Sequence, residues 1–217
     1  MRLVFQGIRR TLGSAPAQKN AAITAEVRAM VETLAPTLLI GVRDRALLLV
    51  GFAGAFPPQR AGLARRRRRD LLTVRAWSSS CAVRRRTRKA RAARSGCRSA
   101  RTRYLPSAAL RAWLDGAAFA SGPIFRSVDR HGNGSPLRLT DQSVALIVKR
   151  CARTAGLDWE SYAGHSLRSG LATAAAMADV SERAIIAQTG HKSLPMVKRY
   201  IRDGSLFRRN AAATVGL

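Results

Sequence analysis

The chain has 217 residues, of which 47% are apolar, and carries 39 lysines and arginines against 12 acids, a formal charge of +27. That apolar share excludes global disorder, and the charge points to a polyanionic partner, nucleic acid first, by counterion release. Cys81, Cys97 and Cys151 have no metal-ligand spacing, and their odd number excludes a disulfide framework. The opening MRLVFQGIRR lacks the apolar run of a signal peptide. The longest apolar stretch, Ala46 to Phe56, is too short to cross a bilayer, so a cytoplasmic protein without a membrane partner is expected.

In chain order, Thr24 is placed to N-cap a helix with Val27, Met30, Val31 and Leu34 on one face, and Pro36 breaks that pattern. Asp44 is read as opening a second helix, RALLLVGFAGAF, apolar nearly all round and therefore buried. Charge then changes abruptly. Residues 57–103 hold 17 basic residues against one acid, Asp70, a net +16, whereas the other 170 residues hold 22 and 11. Neither a strand alternation nor a helical apolar stripe persists in that segment.

A short helix is expected from Leu105 to Leu114, followed by the turn-rich connection SGPIFRSVDRHGNGSP. Thr140 should cap an amphipathic helix through Val144, Ile147, Val148, Cys151 and Ala155, stopped by Gly156. The next helix starts near Ser166, with Leu167, Leu171, Ala174, Ala175 and Ala178 predicted on its inner face. Ser181 caps SERAIIAQT, which Gly190 ends. Ser193 caps a last helix on which Val197, Tyr200 and Ile201 share a face, and Pro195 is tolerable in its first turn.

Three short motifs lie in this helical stretch: GHSLRSG at 164–170, TGH at 189–191 and KRYIR at 198–202. Singly they are weak. Tyr200 reads equally as a core tyrosine, His165 as a helix cap and His191 as part of a turn. In order, HxLR, then TGHxS, then a tyrosine nine residues past that histidine resembles the tyrosine recombinases of the phage-integrase family. GIRRTLG, RDRALLLVGFAGA and PLRLTDQSVALIVKR are also similar to that family, so the resemblance covers about residues 20–56 and 104–217.

The resemblance implies a mainly α (α+β) fold, an integrase-like catalytic domain of packed helices with a small antiparallel β-sheet, expected to be degraded here. It implies a catalytic domain over residues 21–217, with 57–103 of doubtful fold. Residues 1–20 are then a linker and remnant of an N-terminal core-binding domain. It further implies double-stranded DNA as partner, self-association on DNA as a tetramer, no small-molecule substrate, and site-specific recombination of a mobile element in the nucleoid.

A phosphodiester repels nucleophiles, and its transition state gathers negative charge, which suits a permanently charged arginine fork. The resemblance makes Arg168 that clamp, His165 and His191 hydrogen-bond donors or proton carriers, and Tyr200 the nucleophile. A free tyrosine has a pKa of about 10 and needs a positive pocket or a base to attack at neutral pH. No cofactor is implied, and no metal-binding cluster is evident.

Two features depart from the family pattern. A further arginine should follow the buried helix in a GLRxSEL-like motif, but Pro57 holds its position and Arg60 replaces the acid. The family's lysine general acid falls on a β-hairpin; Lys89 is the only lysine between Lys19 and Lys149, and RRRTRKARAARS does not read as a hairpin. Residues 57–103 therefore read either as a disordered arginine-rich loop or as translation from a shifted frame. The latter hypothesis is motivated by the abrupt onset, the lack of acids and PPQR: CCG-CCG-CAG-CGA encodes it, and one base over those bases read CGC-CGC-AGC-GA, the start of Arg-Arg-Ser-Glu. A shifted gene frame with no RxSEL-like run would sink it. Three readings stay open: a recombinase with a crippled site, a catalytically dead DNA-binding remnant, and a poorly folding pseudogene product.

Overall fold

A computed structural model describes residues 19–55, 103–118, 122–190 and Tyr200. Six helices and one antiparallel hairpin make up this part: α1 (Thr24–Glu32), α2 (Leu39–Gly54), α3 (Pro106–Ala117), β1 (Arg126–Val128), β2 (Gly134–Arg138), α4 (Asp141–Thr154), α5 (Ser166–Met177) and α6 (Glu182–Thr189). This is the mainly helical α+β fold expected from sequence. The arginine-rich segment, with Lys89, Pro57 and Arg60, and the last helix apart from Tyr200 lie outside the described residues.

α2 is the centre. Its apolar circumference packs against α1, α3 and α5, and Ala46, Leu47 and Leu48 are almost fully buried. α1 contributes Val27, Met30 and Val31, as their spacing predicts, and α3 contributes Ala109, Leu110 and Trp113. The Trp113 indole donates to the Ile124 carbonyl at 2.7 Å, so burial leaves no orphan donor. α4 turns Val144, Ile147, Val148 and Cys151 inward. Its N-cap is Thr140, whose hydroxyl accepts from the Ser143 amide at 3.1 Å, and Gly156 just past its end takes φ +73.

Four sequence expectations need correction. Thr24 does not cap α1: Ile23 is the N-cap, and the Glu26 carboxylate accepts its amide at 2.9 Å. Asp44 does not open α2, which begins five residues earlier; it lies inside the helix, 1% exposed, in an ion cluster. The turn-rich connection contains the β1–β2 hairpin. Its turn is built by the Asp129 carboxylate, which accepts the His131 and Asn133 amides at 2.8 Å each, and Asn133 holds that carboxyl below the usual range.

The inner face of α5 is also different. Ser166, Leu167, Ser169, Gly170, Ala172 and Thr173 are buried, while Ala178 is exposed. The cause is the entering chain, whose Ala22 amide donates to the Ser166 carbonyl at 2.8 Å. A Cβ on Gly170 would sit 1.8 Å from the Ala22 carbonyl oxygen. Small and polar residues let two backbones approach there, a pattern that apolar periodicity does not register.

Candidate active site

The site is organised by the C-terminal end of α2. A helix leaves its last carbonyls without intrahelical donors, and here two side chains from other elements supply them. Arg168, in the first turn of α5, donates through Nη1 to the Ala55 carbonyl at 3.1 Å. Gln188, near the end of α6, donates through Nε2 to the Ala53 carbonyl at 3.0 Å. The Ala55 amide closes back on the Phe52 carbonyl at 3.1 Å, with Ala55 left-handed at φ 46. Thus α2, α5 and α6 converge on one corner.

His165 is the N-cap residue of α5 and is exposed. Its carbonyl accepts from both the amide and the hydroxyl of Ser169, at 3.0 and 3.1 Å. Arg168, three residues on, is half-buried. Tyr200 is helical and half-buried, packed against a small cluster formed by Ala172 of α5 and Ile185 of α6. Ala172 stands one helical turn beyond Arg168 on the same face. The fold therefore places Tyr200 against the α5–α6 junction and Arg168 one helical turn from Ala172 on α5, with His165 at the N-cap of that helix.

α6 ends at Gly190 in the left-handed conformation, φ 63, its amide bonded to the Ile186 carbonyl at 2.8 Å. His191 follows directly but lies outside the described residues, as does Lys89. Two other acidic-proton groups are unsuited to nucleophilic work. Burial and a hydrogen bond to Glu26 push the Tyr162 phenol up to about 12, and burial pushes the Cys151 thiol up to about 12.

A second polar cluster, absent from the sequence reading, fixes the other end of α2. Arg43 Nε meets Asp44 Oδ1 at 2.6 Å, and Arg150 of α4 bonds the other carboxylate oxygen. Arg43 also donates from Nη1 to the Arg126 carbonyl at 3.0 Å, tying the base of the hairpin to α2. The available signal was the Arg43-Asp44-Arg45 run inside an otherwise apolar helix, where a buried charge is tolerated only when it is partnered. Among the described residues no group of three or more His, Cys, Asp or Glu side chains is arranged to hold a metal, and no helix is long and apolar enough to cross a membrane.

Residues 99–205 match the phage integrase family. The chain is also 37% identical, over 97% of its own length, to an "Integrase/recombinase xerD homolog" of Selenomonas ruminantium. It spans 62% of the length of that relative. The family match begins only near the end of the arginine-rich segment.

Proposed function

We propose, from the family match over residues 99–205 and the 37% identical relative, that the chain belongs to the phage integrase family of tyrosine recombinases and that its chemistry is DNA strand cleavage and rejoining by Tyr200. The Tyr200 oxygen attacks the scissile phosphorus, the bond to the 5′-oxygen breaks, and a 3′-phosphotyrosyl link forms. The phenol loses its proton and the departing 5′-oxygen gains one. Bond energy is kept in the link, so the reverse attack by a 5′-hydroxyl rejoins the strand without a nucleotide cofactor. Arg168 clamps the phosphoryl oxygens, His165 and His191 donate hydrogen bonds or relay protons, and Lys89 is the weaker candidate for protonating the leaving oxygen. The reading places the work on duplex DNA in the cytoplasm, with self-association on paired sites.

The observation that carries this is the packing of Tyr200 on Ala172 and Ile185, one turn from Arg168. The test is a nicked duplex that traps the covalent adduct. A denaturant-stable adduct that Tyr200→Phe abolishes is the expected result; an adduct that survives Tyr200→Phe overturns the assignment. Pro57, where the family pattern calls for arginine, supports a second reading: a remnant that binds DNA and scarcely cuts it. Losing one charge-assisted donor costs roughly 10²–10³ in rate, so adduct yield should be low. Salt-sensitive duplex binding with no adduct selects the remnant.

We also propose the division 1–20, linker, and 21–217, catalytic domain, with 57–103 translated from a shifted frame. Reading the gene in all frames tests this: an RxSEL-like run one frame over supports it, and its absence overturns it.

A further inference from the structure

With Val128 of β1 also packed on the core, the β1–β2 hairpin is attached to the domain chiefly at its base. Ile124, Phe125 and Leu139 are buried there, the Leu139 amide donates to the Phe125 carbonyl at 3.0 Å, and Arg43 holds the Arg126 carbonyl. From Arg126 to Arg138 every residue is exposed or half-buried. A two-stranded hairpin is marginally stable in water by itself, so this arm gains little from standing clear of the core.

Its charges are equally uneconomical for an isolated fold. Arg126 and Arg138 are direct register partners, and like charges facing across a ladder are destabilising. Arg130, in the turn, and Arg138 are exposed, and among the described residues neither forms an ion pair. The arm's one acid, Asp129, is consumed by the turn amides. Between the paired positions Arg126–Val128 and Gly134–Arg138, β2 has two more residues than β1, Pro136 among those between its ends. Such a bulge re-aims the residues that follow.

We propose that this hairpin is a phosphate-contacting arm for duplex DNA, with Arg130 and Arg138 as the contacting residues. Arg126 is held by the Pro123 carbonyl at 3.0 Å, which leaves the exposed Arg130 and Arg138 to meet a polyanion laid along the arm. The further statement, that the duplex is the one engaged by Arg168 and Tyr200, rests on the recombinase reading above. The hairpin base and Arg168 hold opposite ends of α2, at Arg43 and Ala55. Twelve residues of helix separate these two anchor points by about 18 Å, so the arm and the candidate site are held by one rigid element.

The test is equilibrium binding of the full chain to a labelled duplex over a salt series. The Arg130→Ala/Arg138→Ala variant should reduce the slope of log K against log salt by about two, alike for unrelated duplex sequences. Arg130→Lys/Arg138→Lys should restore it, and helical circular dichroism should be the same for all three proteins. An unchanged slope in the alanine variant, or absence of duplex binding by the parent chain, overturns the proposal. Leu137, 72% exposed beside Arg138, supplies the contrast: if Leu137→Ser lowers the solution mass while the alanine pair leaves the slope intact, the arm is a protein interface. Cleavage is not read in this experiment. A chain that forms no adduct yet loses two units of slope keeps the arm and loses the catalytic reading; an adduct with unchanged slope does the reverse.

Discussion

The Arg168 guanidinium and the Ala55 carbonyl meet at 3.1 Å, joining the first turn of α5 to the residue that ends α2. Because Ala55 is left-handed, the chain leaves the helix sharply at that point, beside the arginine. The family pattern expects its first arginine two residues later. In the proposed reading Arg168 clasps the helix end that precedes that position, which Pro57 holds here.

Arg168→Ala should lower adduct yield on a nicked duplex by roughly 10²–10³, the loss of one preorganised charged donor. Its effect on stability should be small, about 0.5–1.5 kcal/mol for a hydrogen bond on a half-buried side chain. Trapping assays and urea unfolding, done side by side, check the split. A stability loss of several kcal/mol with the residual adduct unaltered per folded molecule would make Arg168 a structural clasp only.

Asp44→Ala should be far more disruptive to folding. It strips the partner from Arg43, which is 3% exposed, and removes the link from α2 to α4 through Arg150. Breaking a buried pair on one side costs about 3–5 kcal/mol, mostly from the uncompensated charge. Urea midpoints at constant slope measure this. Arg150→Ala should cost less, since its side chain is about half exposed. Equal losses for the two variants would contradict the assignment of the cost to Arg43.

Most helices could be read from the sequence because their signals are local. Thr140, Ser181, Gly156 and Gly190 mark ends through their own hydrogen bonds or backbone angles, and these helix ends lie where the residues put them. Features set by partners distant in sequence were not legible. Asp44 looks like a helix start until Arg43 and Arg150 are seen around it. The polar face of α5 looks outward until Ala22 is laid against it. At the candidate site, ordered spacing singles out Arg168 and Tyr200 but carries no sign of Gln188, whose contact is to a carbonyl 135 residues away.

Gly170→Ala tests the approach of the entering chain. Its methyl would fall 1.8 Å from the Ala22 carbonyl oxygen, a backbone atom that yields only if the entering chain shifts. Overpacking of this kind costs about 1–3 kcal/mol, read as a lowered thermal midpoint. Gly134→Ala is the control: its Cβ meets nothing within 4 Å, so the change should stay within about 0.5 kcal/mol. Similar losses at both positions would show that the Ala22 contact is not the cause.

Alkaline stability follows from Tyr162, buried and hydrogen-bonded to Glu26, with its phenol pushed up to about 12 from an unfolded value of 10.0. Above pH 10 the unfolded chain releases this proton while the folded chain retains it. The unfolded state then binds fewer protons, and stability falls as pH rises. The contribution is fully present below pH 10, declines between 10 and 12, and is gone once pH has passed the folded value. Cys151, also pushed up to about 12, acts in the same direction from about pH 9. Urea midpoints measured from pH 9 to 12 should therefore decline for the parent chain. Tyr162→Phe should start from lower stability, because the Glu26 bond is lost, but decline less steeply. Equal slopes in the two proteins would mean that Tyr162 ionises as freely when folded as when unfolded, and that its burial does not govern alkaline unfolding.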